Sequence, residues 1–184
     1  MEDALRAKGR AFVREICRWN RELSDSPSEF DQGYEPTPQR PVVFHLHGCA
    51  DRHESMVVTE DDYLDFLVNI SKDLATNPVS PKERPVLPLR IRRAITTSNL
   101  LFIGYGLSDI NFRVILRGLV HSLERSGRRI HITVQHPGDD GDDTDLRRYL
   151  DQYFGWTLDL QVCWCTTRQF TQELRRRWDI QRQS

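Results

Sequence analysis

The stretch Val42-Val43-Phe44-His45-Leu46-His47-Gly48 gives the clearest structural signal in this chain. Its apolar run is typical of a strand buried on both faces of a parallel sheet. The glycine that follows indicates a turn, so the imidazole of His47 is expected at the end of a rigid strand. Ligand sites in open α/β sheets form at the carboxyl ends of such strands. This stretch therefore predicts an α/β fold with a histidine at its ligand-binding edge.

A second stretch, Leu101-Phe102-Ile103-Gly104-Tyr105-Gly106-Leu107-Ser108-Asp109, repeats the order of apolar strand and glycine turn. Gly104 and Gly106 would let the backbone approach a ligand closely. Asp109 can cap a following helix, whose free amides would face a phosphate or ribose oxygen. A Gly-x-Gly pair without a third glycine is not a dinucleotide fingerprint. An ordinary tight turn explains the same residues, and both interpretations stay open.

Composition is typical of a soluble globular protein. The 184 residues are 38% hydrophobic and 29% charged, with a formal net charge of -1. This balance gives no indication of a nonspecific nucleic-acid surface. No apolar run approaches the ~20 residues that a membrane-spanning helix needs. Met1-Glu2-Asp3 does not begin a recognisable secretory signal. We therefore expect a cytoplasmic protein with no membrane partner and no direct nucleic-acid partner.

The sequence predicts no metal site. The cysteines are Cys17, Cys49, Cys163 and Cys165, and they form no Cys-x-x-Cys pair of the kind a zinc ribbon needs. Free thiols are the favoured interpretation. The carboxylates between residues 51 and 62 can be read as metal ligands or as an acid/base pair. Helix capping explains them as well, because Thr59-x-x-Asp62 resembles a capping box.

Hydrophobic periodicity predicts one α/β arrangement along the chain. We expect a helix over residues 2–23, a loop over 24–41 and an α/β core over 42–178, together forming a single partial domain over 1–184. Within the core, strands are predicted at 42–46, 100–103, 130–134 and 158–164, and helices at 59–77, 89–98, 112–123, 146–153 and 170–178. Strands that alternate with such helices indicate a Rossmann-like parallel sheet with helices on both faces.

The two histidines of the first stretch are the candidates for acid/base chemistry. His45 and His47 point to the same side of the predicted strand, and His47 lies nearer the turn. An imidazole that is neutral near pH 7 suits a general base. Either histidine can instead form a hydrogen bond within the core. Cys49 beside His47 is a weaker candidate for a nucleophile, because such catalysis needs a contact geometry that the sequence does not give.

Three segments in this order and spacing resemble the bacterial sirtuin-like family: residues 44–48, 55–67 and 101–113. Domains of this family are often found in anti-phage defence proteins, where they hydrolyse NAD. The resemblance runs from about Pro41 onward to residue 178. It implies a Rossmann-like fold that takes NAD as its substrate and needs no metal.

The resemblance also implies roles for particular residues. His47 corresponds to the catalytic histidine, which would activate a ribose hydroxyl or a water as the nicotinamide–ribose bond breaks. The residues that would line the NAD site are Gly48, Gly104, Tyr105, Gly106, Ser108 and Asp109. Ser108 and Asp109 are the weaker correspondences and can be structural.

The first half of the family's domain has no counterpart in this sequence. Residues 2–10 resemble the helix that follows the family's central motif, but the Gly-Ala-Gly phosphate loop and the Thr-Asn-x-Asp segment before that helix are missing. We therefore expect a sheet that lacks its first βαβ half. Its open edge would pair with a second copy or with a partner chain that supplies the missing half.

Two further functional alternatives remain open at this point. NAD turnover by the chain alone is expected to be weak or absent, because the pyrophosphate-binding loop is not present. The chain can then be an inactive remnant that acts as a regulatory or protein-interaction module. A third interpretation is an unrelated α/β domain that binds nucleotides or senses phosphate.

Overall fold

The computed structural model describes residues 1–75, 85–105, 130–136, 144–158 and 160–182. The chain divides into two compact units, Met1–Arg93 and Ala94–Ser184. Each unit has its own parallel sheet, and helices accompany the strands in both. The fold is therefore mixed α/β and consistent with a Rossmann-like architecture, as the sequence predicts.

The first unit contains helix α1 (Glu2–Ala7), strands β1 (Val13–Ile16) and β2 (Val42–His45), and the long helix α2 (Glu60–Ala75). The two strands pair in parallel, with Val13 opposite Val42 and Ile16 opposite His45. Short 3₁₀ turns lie at Arg21–Leu23, Glu29–Gln32 and His53–Ser55. The buried apolar side chains of this unit are Val13, Cys17, Trp19, Leu23, Phe66, Ile70 and Leu87.

The prediction of one helix over residues 2–23 is wrong. Helix α1 ends at Ala7, Gly9 takes a positive φ of 61°, and the chain continues as strand β1. A glycine adopts this conformation at little cost, so it readily ends a helix. Strand β1 is hard to recognise from the sequence because one of its buried residues, Glu15, is charged. Its carboxylate accepts hydrogen bonds from residues 28 and 29.

The second unit has a three-stranded parallel sheet in the order β3 (Leu101–Ile103), β4 (His131–Gln135) and β5 (Leu160–Trp164). The division between the two units falls within helix α3 (Leu89–Thr97), which precedes β3 in the chain. Helix α4 (Thr144–Leu158) precedes β5, and helix α5 (Thr167–Gln181) follows it. The core of this unit consists of Phe154 and Leu160, with Phe102, Leu150 and Val162 packed against them.

Most of the other predicted elements are confirmed within a few residues. All four predicted strands are present as β2, β3, β4 and β5, and the predicted helices at 59–77, 89–98, 146–153 and 170–178 correspond to α2, α3, α4 and α5. The predicted loop over 24–41 contains the 3₁₀ turn Glu29–Gln32. The helix predicted at 112–123 lies outside the described residues. In the part of the chain that the structure describes, no helix is long and apolar enough to cross a membrane.

Candidate functional site

His47 lies two residues beyond the end of β2, and its ring packs against helix α2. The centroid of the ring lies 4.8 Å from that of Phe66, at an interplanar angle of 78°, and 5.6 Å from that of Tyr63. Phe66 is fully buried, and the Nε2 atom of His47 is inaccessible to solvent. We call His47, Tyr63 and Phe66 the aromatic cluster. The cluster fixes the imidazole against the face of α2 that carries Phe66.

A capping box at the start of α2 sets the position of Tyr63 and Phe66. The Asp62 carboxylate accepts hydrogen bonds from the amides of Thr59 (2.8 Å) and Val58 (3.2 Å), and Thr59 Oγ1 accepts one from the Asp62 amide (3.1 Å). The Thr59 amide is the main reason why the pKa of Asp62 lies below its ordinary value. The capping interpretation of this Thr-x-x-Asp spacing is thus confirmed.

Gly48 forms a turn that only a glycine fits. Its φ is 78°, and a Cβ atom at this position would lie 2.1 Å from the carbonyl oxygen of Ser55. The same carbonyl accepts a hydrogen bond from the indole of buried Trp19 (2.8 Å), and Ser55 Oγ accepts one from the Cys49 amide (3.1 Å). Gly48 therefore has a packing role directly beside His47. Its predicted contact with a cofactor stays a prediction.

A charged cluster surrounds the buried carboxylate of Glu2. This carboxylate accepts hydrogen bonds from Arg14 Nε (2.6 Å) and from Arg6 (2.6 Å), and its Oε1 lies 2.7 Å from His45 Nε2. Arg14 also donates to Asp51 (2.5 Å). Hydrogen bonding to Arg14 is the main cause that lowers the pKa of Glu2 to about 2, against the opposing effect of burial. The contact between Glu2 and His45 ties α1 to the end of β2.

This charged cluster lines a cavity of about 370 Å³ in the first unit. Arginine and histidine donors lie beside carboxylate acceptors in its wall, so it suits a ligand that offers hydroxyl groups or anionic oxygens. The described residues that line the cavity include His45 but not His47. The full set is Met1, Glu2, Asp3, Arg6, Arg14, Val43, His45, Cys49 and Asp51.

Gly104 and Tyr105 follow strand β3 in the second unit. Gly104 has a φ of 81°, and a Cβ atom there would meet nothing within 4 Å among the described residues. Its backbone conformation favours glycine. The carbonyl of Tyr105 accepts a hydrogen bond from the side-chain amide of buried Gln135 (2.8 Å), which also donates to Thr133 Oγ1 (2.8 Å). Gln135 thus anchors the start of this loop to strand β4.

The structure describes only some of the predicted site residues. His47 and Gly48 belong to the unit Met1–Arg93, and Gly104 and Tyr105 belong to the unit Ala94–Ser184. Their predicted meeting in one pocket stays a prediction. The predicted contacts of Gly106, Ser108 and Asp109 lie outside the described residues.

Sequence reasoning missed the charged cluster because it missed strand β1. Arg14 pairs with Val43 across the sheet, and His45 lies two residues further along β2. A helix over residues 2–23 gives Arg14 no such neighbours. The alternation of Val13, Glu15 and Cys17 could have indicated the strand, because every second residue of a strand faces the same side. The pattern is recognised only when Glu15 is accepted as a buried residue.

Among the described residues, no group of three or more His, Cys, Asp or Glu side chains is arranged to hold a metal ion. All four cysteines are free thiols. Cys17 is fully buried, and burial is the main cause that raises the pKa of its thiol.

Two parallel sheets accompanied by helices, with a histidine just past a strand end, are consistent with a Rossmann-like α/β protein. The family model described as the SIR2-like domain matches residues 1–155, and the chain belongs to that family. SIR2-like domains bind NAD, so membership indicates an NAD-related function in general. The match includes residues 1–40 and ends within helix α4. A comparison with curated proteins gave no match.

Proposed function

We propose that this chain binds NAD and hydrolyses its nicotinamide–ribose bond, with His47 as the general base. Membership of the SIR2-like family over residues 1–155 is the observation that carries the proposal. In this reaction a water attacks C1′ of the nicotinamide ribose. His47 takes the proton of that water, and nicotinamide leaves with the electron pair of the broken bond. His47 can instead act on a ribose hydroxyl, which relays the proton of the attacking water to the imidazole.

The rest of the proposed site follows the resemblance to the family. Gly48, Gly104 and Tyr105 would line the NAD site, together with Gly106, Ser108 and Asp109. The glycines would admit close approach of a backbone to the dinucleotide. A second copy or a partner chain would contribute phosphate-binding groups to this site. Anti-phage defence in the bacterial cytoplasm is the setting that the resemblance suggests for this activity.

Turnover by the chain alone should be slow, for a reason that concerns His47 itself. Its Nε2 atom is inaccessible to solvent, and its ring packs against Tyr63 and Phe66. A general base must lie within hydrogen-bond reach of the proton that it accepts. The aromatic cluster would therefore have to rearrange before His47 Nε2 meets a substrate water.

The same burial favours a second candidate function. If the aromatic cluster does not rearrange, His47 serves packing, and the chain binds NAD without cleaving it. Such a domain would act as a regulatory or protein-interaction module. The two functions share the NAD-binding step and differ only in the chemistry that follows.

The test measures binding and cleavage separately on the full chain. Calorimetric titration with NAD reads binding, and chromatography reads the release of nicotinamide. We compare the wild type with His47→Ala and with a matched control, His53→Ala, whose side chain is exposed on the neighbouring 3₁₀ turn. Circular dichroism verifies that each variant is folded.

Three results are distinguishable. The hydrolase is supported if the wild type releases nicotinamide slowly, and if His47→Ala lowers the rate of release at least tenfold whereas His53→Ala leaves it unchanged. Saturable NAD binding with no release from any form supports the regulatory module. No binding of NAD by the folded wild type, up to millimolar concentration, would refute both candidates.

A further inference from the structure

Helix α5 is a well-formed helix whose apolar stripe faces solvent. It begins with a capping box between Thr166 and Gln169, yet none of its residues, all of them described, is buried. Phe170, Leu174 and Trp178 recur every four residues and so share one face. Leu174 is 48% exposed and Trp178 is 58% exposed. The part of the chain that the structure describes therefore leaves Leu174 and Trp178 largely uncovered.

The stripe is bordered by positive charge. Helix α5 carries four arginines against two carboxylates. Arg175 and Arg177 flank Trp178 on the helix surface, and their side chains are mostly exposed. Both form ion pairs within the helix, with Asp179 and Glu173 respectively. The family match ends at residue 155, so this helix lies outside the matched residues.

Helix α2 presents a surface of the opposite kind. Its buried side carries Phe66 and Ile70, whereas Leu64 (55% exposed) and Val68 (48% exposed) lie one turn apart on its outer side. The helix carries five carboxylates against one lysine. Three of those carboxylates, Glu60, Asp61 and Asp65, are exposed around the two aliphatic side chains. We call this surface the outer face of α2.

We propose that helix α5 of one copy docks onto the outer face of α2 of a second copy. The apolar stripe of α5 would cover Leu64 and Val68, and its arginines would meet the carboxylates of that face. Pairing of two α5 helices would instead bring like charges together, which disfavours it. Two helix faces of this size bury less than a standard stable interface, so the association should be weak and reversible.

The occupant is a second copy because both complementary faces belong to this chain. A contact between two different surfaces is heterologous, so it closes as a reciprocal pair or continues to further copies. Either arrangement makes the mass depend on concentration. The proposal does not rest on NAD binding, because neither face includes a residue placed in the NAD site.

Sedimentation velocity on the full chain over a series of concentrations tests the proposal. We expect the mean sedimentation coefficient of the wild type to rise with concentration and to fall again at high salt, because exposed charge pairs are screened. A variant with Arg175→Glu and Arg177→Glu, and another with Asp61→Arg and Asp65→Arg, should each associate at least tenfold more weakly. A mixture of these two variants should regain association, because it restores opposite charges across the contact.

Controls come from helix α4, which lies elsewhere in the second unit. Asp145→Arg changes an exposed charge of α4 and should leave association unchanged. Tyr149→Ala removes an exposed ring of α4 and serves as the control for Trp178→Ala, which should weaken association. Circular dichroism shows whether each variant retains its helices.

Several results would overturn the proposal. One is a wild type that remains monomeric up to several hundred micromolar. A second is unchanged association of both charge-reversal variants, and a third is their failure to associate when mixed. An anionic lipid surface is the competing occupant of a cationic amphipathic helix. Flotation with phosphatidylserine vesicles tests it, and Trp178-dependent vesicle binding by a protein that stays monomeric would refute docking between copies.

Discussion

Replacement of Gly48 by alanine is the most direct test of the turn beside His47. Two features of the structure oppose a side chain at this position. The backbone has a φ of 78°, and a Cβ atom would lie 2.1 Å from the carbonyl oxygen of Ser55. That oxygen cannot move without loss of its hydrogen bond from the indole of Trp19.

The expected loss of stability is the sum of two effects. A left-handed backbone costs an L-residue about 1–2 kcal/mol relative to glycine. Displacement of the Ser55 carbonyl leaves the buried indole N–H of Trp19 without its acceptor, which costs about 1–3 kcal/mol more. Gly48→Ala should therefore lower the free energy of unfolding by about 2–5 kcal/mol, a large part of the stability of a typical domain.

Urea unfolding followed by circular dichroism measures this loss, and Gly9→Ala is the matched control. Gly9 also has a positive φ, 61°, but no described residue comes within 4 Å of a Cβ atom placed there. The control should therefore lose only the backbone contribution of about 1–2 kcal/mol. Equal destabilisation by the two substitutions would show that the close approach of Gly48 to Ser55 does not exist.

Three further predictions concern charge, thiol reactivity and the second core. Glu2 has a folded-state pKa of about 2, below its ordinary value of 4.5, so its stabilising effect is full above pH 4.5 and is lost as the pH falls towards 2. Urea midpoints should show Glu2→Gln less stable than the wild type at pH 7, with a difference that shrinks as the pH falls from 4.5 to 2; a constant difference would contradict the assignment. Iodoacetamide should modify half-buried Cys49 in the folded protein but reach buried Cys17 only after unfolding, as read by peptide mass spectrometry, and rapid native labelling of Cys17 would contradict its burial. Phe154→Ala should lower the free energy of unfolding by about 3–5 kcal/mol in urea titrations, because it empties the centre of the second core; a loss below about 1 kcal/mol would refute that packing.

The strands that sequence reasoning found have either an apolar run, as in β2 and β3, or apolar residues at alternate positions, as in β4 and β5. Strand β2 begins with three apolar residues, and the predicted bounds of β4 and β5 differ from the observed ones by one or two residues. Strand β1 has a polar pair, Arg14-Glu15, at its centre. Both side chains are satisfied by partners from distant parts of the chain, which a local pattern cannot show. The prediction therefore assigned the residues of β1 to a helix over residues 2–23.

The candidate site was likewise predictable from the sequence only in part. The position of His47 just past a strand end follows from the His-Gly pair and the preceding apolar run. Its contact with Tyr63 and Phe66 does not, because periodicity indicates which side of α2 is apolar but not which side chain covers it. The contact between Glu2 and His45 joins residues that are far apart in sequence, so no short sequence motif predicts it.

The hydrogen bond from Trp19 to Ser55 also makes the turn beside His47 observable by optical means. An indole shielded from water emits at shorter wavelengths than an exposed one, and that emission responds to small changes in its surroundings. Trp178, by contrast, is exposed. Replacement of Trp156, Trp164 and Trp178 by phenylalanine would leave Trp19 as a single fluorophore. Its emission maximum would then report any rearrangement of the turn when dinucleotide is added, without an attached dye.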